Sequence, residues 1–526
     1  MQEKKLLEKS KTARRGRAAR VAQRTARKPA DQRPVRPGFV GGKYQPLTQN
    51  EMESIHRTAL QLLAEVGLAD AIPSMVELVT DAGGWMKDDG RLCYPTSLVE
   101  DILARAQRTF VMPGQTAEHD LEVGGQRVHT GTGGAAPFVL DFETSTYRPS
   151  MLVDIYDIAR LVDTLDNIHY FWRPVVARDM MNTMDLDLNT AYACMSGTNK
   201  HIGVSFVNGV NTEATVAMFD MALGGEGKFR ERPFCSVSCC HVVPPLRFAV
   251  ESCEALEVAA RSGMPITLLS AAQAGATAPA ALAGTIVQAI AETLAGLVFA
   301  NLIDPMCRAN LGTWPFVSDL RTGAMCSGSA ELALLVSGCA QMANFYGLPG
   351  SVAAGMSDSK LPDTQSGAEK GYTLALAAQA GSTLIMESAG MQASLLGASF
   401  ESYVIDNDTL GAVQRTVRGI EVNEETLSFE TIKNVVNGEG HFLGQSQTIE
   451  RMETHYFYPA VGDRNSPEDW ADQGSTDVRQ RAREKVSKTL AEHYPNYIDP
   501  AVDAKIRQHF KIHLPQEAMR SGNGRW

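Results

Sequence analysis

The chain has 526 residues, 44% of them apolar and 21% charged, a composition that excludes a disordered or fibrous protein. This length exceeds one small domain and suits a large barrel with additions. The formal charge of −11 hides an asymmetry: residues 1–37 hold 13 Lys/Arg against 3 Asp/Glu. The body is therefore more acidic than the whole, which argues against a nucleic-acid-binding surface.

Residues 1–45 read as a basic, disordered arm. No apolar run follows the basic stretch, so neither a secretory signal nor a twin-arginine leader is expected. The most apolar segment, 280–303, is interrupted by Gln288, Glu292 and Asn301 and reads as a buried helix rather than a membrane span. The nine cysteines are scattered with no CxxC pair. Reduced thiols in a cytoplasmic protein are the expectation.

Residues 46–127 form a helical N-terminal region with a Gly-rich strand segment at its end. Met52, Ile55, Ala59, Leu62 and Leu63 recur at helical spacing, as do Leu98, Ile102 and Leu103. A regular rhythm then begins. Short apolar runs at 128–140, 169–176, 201–207, 234–243, 266–270, 306–312, 351–355 and 383–387 alternate with amphipathic stretches. One of these, 246–262, meets a stop at Gly263 and Pro265; another, 330–346, meets Gly347 and Pro349. Eight strands alternating with helices predict an α/β fold, an eight-stranded parallel (βα)8 TIM barrel over 128–420. A helical C-terminal extension fills 421–526. A doubly wound open sheet is the alternative, but Gly131-Thr132-Gly133-Gly134 lacks the third glycine of its phosphate-binding turn.

In such a barrel the site lies at the C-terminal ends of the strands. The loop after the seventh strand is the most polar: Asp358, Lys360 and Asp363 lie within six residues. Pro362 is expected in the first turn of the next helix, with Asp363 and Gln365 at its start. The loop after the sixth strand carries Trp314 and Phe316, either as a rim-packing lid or as two walls of an aromatic cage for a quaternary ammonium. Phe171 and Trp172 on the second strand offer a third wall. Asp358 and Glu387 are the candidate catalytic carboxylates, at adjacent strand ends. His241 follows the fourth strand, as a catalytic or a structural histidine. Cys239 and Cys240 point to opposite faces there, so no zinc site is expected. His241, Gln273 and Lys360 are candidate donors to a substrate anion.

Glu439-x-His441-x-x-Gly444 begins with Glu where a cobalamin-binding module has Asp, and no open α/β module surrounds it. No tightly bound cofactor is expected on this chain. A G-x-S-x-G elbow, a Walker A loop and an H-E-x-x-H motif are all absent, so nothing points to acyl or phosphoryl transfer.

Several motifs together resemble the trimethylamine methyltransferase family in its form without pyrrolysine, over about residues 45–515. They are Gly328-Ser329-Ala330-Glu331-Leu332-Ala333, Tyr346-Gly347-Leu348-Pro349, Asp358-Ser359-Lys360-Leu361-Pro362-Asp363, Gly367-Ala368-Glu369-Lys370, Val404-Ile405-Asp406-Asn407 and Gly440-His441-Phe442-Leu443-Gly444 with Gln447-Thr448. The resemblance implies a barrel fold and a methyl group passed from an amine to cobalt on a separate corrinoid protein, which would carry the cobalamin. Founding members read an amber codon as pyrrolysine, whereas this chain has only standard residues, with Gly355-Met356-Ser357 in the corresponding neighbourhood. Members of that form are associated with quaternary amines, glycine betaine foremost. The expected partners are thus a small quaternary amine and a corrinoid protein, with no nucleic acid or membrane; self-association stays open. Direct transfer to tetrahydrofolate and a non-catalytic amine-binding protein are the alternatives.

Overall fold

Eight short parallel strands follow one another along the chain: β1 (Arg127–Thr130), β2 (Phe171–Trp172), β3 (Ile202–Val204), β4 (Cys235–Cys239), β5 (Ile266–Ser270), β6 (Ala309–Thr313), β7 (Gly350–Ala353) and β8 (Leu384–Met386). Each coincides with one of the eight expected apolar runs. Nearly every strand position is buried, because helices cover one face and packed side chains the other. The computed structural model describes residues 29, 32–438 and 440–526.

Each strand is followed by a helix: α1 (Leu152–Asp163), α2 (Thr183–Gly197), α3 (Gly209–Ala222), α4 (Val250–Arg261), α5 (Leu282–Ile303), α6 (Ala330–Tyr346), α7 (Thr364–Gln379) and α8 (Phe400–Arg418). Helix α6 spans the residues its periodicity predicts. Ser329 caps its start by accepting from Leu332 N, and Gly347, at φ 64°, ends it in the left-handed conformation that costs glycine nothing. Helix α4 starts later than expected, because a small hairpin of Val242–Val243 and Arg247–Phe248 takes up the preceding residues. Pro362 lies outside α7, whose cap is Asp363.

The strand order is β1-β8-β7-β6-β5-β4-β3-β2. All seven neighbouring pairs run parallel, with Leu268 of β5 opposite Leu311 of β6, for example. A ninth strand, Phe39–Val40, pairs antiparallel with β1, so the N-terminal arm is ordered from here rather than disordered to residue 45. Most of the basic arm lies outside the described residues. The sheet curls until its end strands meet. Gly131 and Tyr170 form a parallel bridge, and His169 N donates to Thr130 O at 2.7 Å. Beyond the bridge, the Thr132 hydroxyl replaces a backbone pair by accepting from Trp172 N (2.9 Å) and donating to Trp172 O (2.6 Å). This seam is a bridge rather than a full ladder, since β2 stops before Pro174, which has no N–H to give.

The N-terminal helices Gln49–Gln61, Pro73–Asp81 and Thr96–Arg105 pack on α5. Helix α5 is apolar and long enough to cross a membrane, yet 83% of its apolar window is buried inside the protein. The expected C-terminal extension is not one body. Residues Arg418–Tyr458 fall in one compact unit, whereas Pro459–Trp526 belong with the sheet-bearing unit, Pro37–Val417. In the smaller unit, Arg418 donates to the Thr454 carbonyl and Gln447 Nε2 to Ser428 Oγ at 2.8 Å.

Residues 459–526 are tied to the sheet-bearing unit through charge. Arg160 of α1 is fully buried and pairs with Asp157 at 2.8 Å. It also donates to the carbonyls of Leu490 (2.7 Å) and His493 (2.9 Å). Arg525 and Trp526 Nε1 meet the other oxygen of Asp157. Removing one partner of a buried pair costs about 3–5 kcal/mol. Arg160→Met should therefore lower the denaturant midpoint and speed protease cleavage within 478–526. An unchanged midpoint and digestion pattern would show that apolar packing alone holds this segment.

Candidate active site

Parallel strands place their C-terminal ends on one side of the sheet. There the residues at or just past seven of the eight ends enclose a cavity of about 220 Å³. Three aromatic side chains line it, Trp172 from β2 and Trp314 and Phe316 from the segment after β6, among small and aliphatic residues. Trp314 is 5% exposed and donates from Nε1 to Ser351 Oγ at 3.1 Å, which fixes its ring plane. Trp172 has its seat because residue 203, its neighbour on β3, is glycine. A Cβ there would fall 1.6 Å from the indole Cδ1.

Glu387 is the first residue beyond β8 and lines the same cavity. Its φ of 59° is left-handed, an uncommon state for glutamate that turns the chain sharply out of the strand. The side chain is 3% exposed, and its Oε2 has no hydrogen-bond partner. Burial, with nothing to offset it, pushes this carboxyl up to about 8. The loop behind it is held firmly. Ser388 Oγ donates to Gly131 O at 2.7 Å. Asp406 Oδ2 accepts from Gly390 N at 2.8 Å and from the buried Lys370 Nζ at 2.6 Å.

Four more polar residues line the cavity: Arg173, Ser205, Ser238 and Cys240. Cys240 is exposed; desolvation of its thiol, with Arg173 opposing, raises its pKa above the ordinary value. Among the described residues no group of three or more His, Cys, Asp or Glu is placed to hold a metal ion.

The structure brings together four of the nine candidate residues: Trp172, Trp314, Phe316 and Glu387. The other five lie elsewhere. Phe171 alternates to the opposite face from Trp172 and is wholly buried in the core. His241 is wholly buried against α5, with Nε2 3.0 Å from the Glu292 carbonyl oxygen and Nδ1 3.4 Å from that of Cys239. Burial lowers its pKa. It is a packed, neutral histidine away from the cavity. Gln273 pairs through its backbone with Phe316 on a small sheet above the strands. Lys360 donates to the Asp358 carbonyl oxygen rather than to a carboxylate, at 2.6 Å.

Asp358 is a fastener. Its carboxylate takes Ser327 N (2.7 Å), Cys326 Sγ (2.9 Å) and Ser394 Oγ, joining three loops. Burial raises its pKa, but these hydrogen bonds outweigh that and hold it below the ordinary carboxylate range. The sequence reading missed Arg173 because it took 169–176 as one strand and placed the polar end at Arg178. The signal was Pro174: β2 ends at Trp172, four residues before the expected end.

A small aromatic cavity with a buried carboxyl and a guanidinium, set at the C-terminal ends of parallel strands, defines an α/β protein with a small-molecule site of enzyme type. The family model of trimethylamine methyltransferase (MTTB) matches residues 13–513, and this chain belongs to that family. It is 29% identical over 466 residues to the glycine betaine methyltransferase of Desulfitobacterium hafniense (strain Y51), covering 88% of this chain and 96% of that one. It is 34% identical over 457 residues to a trimethylamine methyltransferase of Methanosarcina mazei, covering 86% and 92%. A dihydropteroate synthase from Coxiella burnetii aligns structurally at 11% identity and a TM-score of 0.35, over 59% of this chain and 100% of that one.

The raised Glu387 pKa fixes a sign. Between the ordinary glutamate value of 4.5 and about 8, the native protein keeps a proton that the unfolded chain has released. Stability from this group is complete below 4.5, declines as pH rises through that window and levels off above it. Glu387→Gln should remove that component, so its denaturant midpoint should fall less than the wild type's from pH 5 to pH 8. Parallel profiles for the two proteins would show that Glu387 is ionised in the native state.

Proposed function

We propose that this chain removes a methyl group from a quaternary amine, glycine betaine foremost, and passes it to Co(I) of a separate corrinoid protein. The observation that carries this reading is one cavity walled by Trp172, Trp314 and Phe316 with the Glu387 carboxyl in it. Ring faces are negative and attract a trimethylammonium group without hydrogen bonds. Family membership supports the chemistry, and the glycine betaine methyltransferase relative supports the substrate. The reading takes the curled sheet as a closed (βα)8 barrel, which the Gly131–Tyr170 bridge supports.

The transfer is an in-line displacement. The reduced metal supplies the electron pair that bonds the methyl carbon. The C–N bond breaks, and its electrons stay on nitrogen, so the product leaves as dimethylglycinate, a neutral tertiary amine that keeps its carboxylate charge. No proton is needed, because the leaving group departs as a tertiary amine. The residues present then bind, orient and exclude water. Glu387 adds charge attraction once ionised, which a bound cation favours. The partner protein would meet the open end of the cavity, bringing its metal to the methyl group. Appearance of methyl-cobalt absorbance on mixing purified protein, betaine and reduced corrinoid protein would support this. Turnover with trimethylamine and with no betaine would refute it.

Loss of a cation–π wall costs about 0.5–2 kcal/mol. Trp314→Ala should weaken betaine binding roughly 2–30-fold, and it should also destabilise the fold, because this indole is buried and bonded to Ser351. Trp314→Phe keeps a ring face and should recover part of the affinity, as measured by calorimetry on folded protein. Equal affinity for wild type and Trp314→Ala would move the cage elsewhere.

Because a cation stabilises the Glu387 carboxylate, its pKa should drop below 8 in the complex and a proton should leave. Betaine affinity should rise with pH up to about 8. Binding heats should also differ between buffers of different ionisation enthalpy. Glu387→Gln should abolish both effects; if it leaves them intact, another group titrates.

A further inference from the structure

A quaternary amine with a cage for its cation leaves one feature of the cavity without a role. Arg173 lines it and is half-buried. Its backbone N donates to Gly203 O at 2.9 Å, which fixes the residue at the end of β2. Among the described residues its guanidinium makes no hydrogen bond, ion pair or ring contact. Burial lowers its pKa, with the charge of Asp187 opposing and the Cys194 and Cys240 thiols also acting on it. Asp187 does not close on it. The Asp187 carboxylate is engaged by Val207 N and by Asn211 Nδ2, both at 2.8 Å.

An arginine keeps its charge even when partly desolvated, and the five N–H donors of its planar head suit a carboxylate. No protein group occupies those donors among the described residues, which leaves them open to a ligand. Glu387, the acid that shares the cavity, makes no hydrogen bond or ion pair with Arg173, and its Oε2 has no partner among the described residues. The cavity thus holds a cation without a partner as well as an aromatic cage and an acid. A ligand that is only a cation would bring a like charge beside Arg173. A ligand that carries a carboxylate beside its trimethylammonium satisfies both ends.

Resting on the quaternary-amine reading, we infer that Arg173 is the carboxylate anchor of this site, the residue that makes it favour a betaine over a quaternary cation without a carboxylate. His241, Gln273 and Lys360, the donors the sequence offered, do not line the cavity. The carboxylate would take two parallel N–H bonds from the guanidinium. It would thereby orient the ammonium methyl groups among Trp172, Trp314 and Phe316.

The test is calorimetric titration of the full chain with glycine betaine, with choline and with tetramethylammonium. The last two keep the quaternary cation and lack the carboxylate. Wild type should bind betaine roughly 10-fold or more tighter than either, as expected for charge-assisted hydrogen bonds. Arg173→Gln should erase most of that margin and leave tetramethylammonium within about 2-fold of wild type, while Arg173→Lys, which keeps the charge without the fork, should restore part of it. Equal wild-type affinity for all three ligands overturns the anchor and leaves the cage reading standing. So does an Arg173→Gln variant that weakens all three alike. Absence of binding by any of them overturns the quaternary-amine reading and the anchor with it. The wild-type comparison decides the point even if Arg173→Gln does not fold.

Discussion

Parallel strands cannot turn back on themselves, and this constraint organises the molecule. Every strand must be followed by a crossover that returns the chain to the end of the sheet where strands begin. All eight strands therefore finish on the same side, and the residues that follow them converge. Seven ends supply the walls of one cavity although they are spread from Gly133 to Leu395 along the chain. The same constraint makes the sheet nearly all buried. Polar side chains within the strands must bond one another, as Asn310 does Thr267, and the cavity forms where the strands stop.

Convergence alone does not make a site, because loops at strand ends are free to move. Here they are fastened by carboxylates that take no part in lining the cavity. Asp358 gathers the loops bearing Ser327 and Ser394. Glu369 takes Ser357 Oγ and Asp358 N, at 2.7 and 2.8 Å. Asp406, neutralised by Lys370, holds the loop that leaves Glu387. Asn407 accepts from Asn167 N and, through its carbonyl, from Asn167 Nδ2, securing the turn before β2. With these carboxylates satisfied by hydrogen bonds, Glu387 stands out as the carboxyl left with an empty oxygen. A buried acid without a partner is unfavourable in the free protein, which is the expected condition of a group waiting for a cation.

The motifs that mark the family are mostly these fasteners. Gly367-Ala368-Glu369-Lys370 and Val404-Ile405-Asp406-Asn407 supply Glu369, Lys370, Asp406 and Asn407. Asp358-Ser359-Lys360-Leu361-Pro362-Asp363 supplies Asp358 and the cap of α7. Their density of polar residues reads on the page as a catalytic wall. In space it is a bracing layer, since ion pairs and caps use the same residue types as acid–base chemistry.

The sequence by itself determined the strands and helices. Local periodicity, Gly and Pro stops and caps such as Asp363 and Ser329 act within a few residues, and all eight apolar runs became parallel strands. It also marked Trp172, Trp314, Phe316 and Glu387, because each lies within three residues of a strand end. The tertiary structure alone decided which polar residues face inward. His241 and Asp358 also follow strand ends, yet one packs under α5 and the other ties loops together. Arg173 entered the site because Pro174 cuts β2 short and no acid closes on it, and neither the facing loop nor the missing partner is local. Periodicity reports the environment averaged over a turn or a strand. The direction of one side chain past the last hydrogen bond of a strand depends on residues hundreds of positions away.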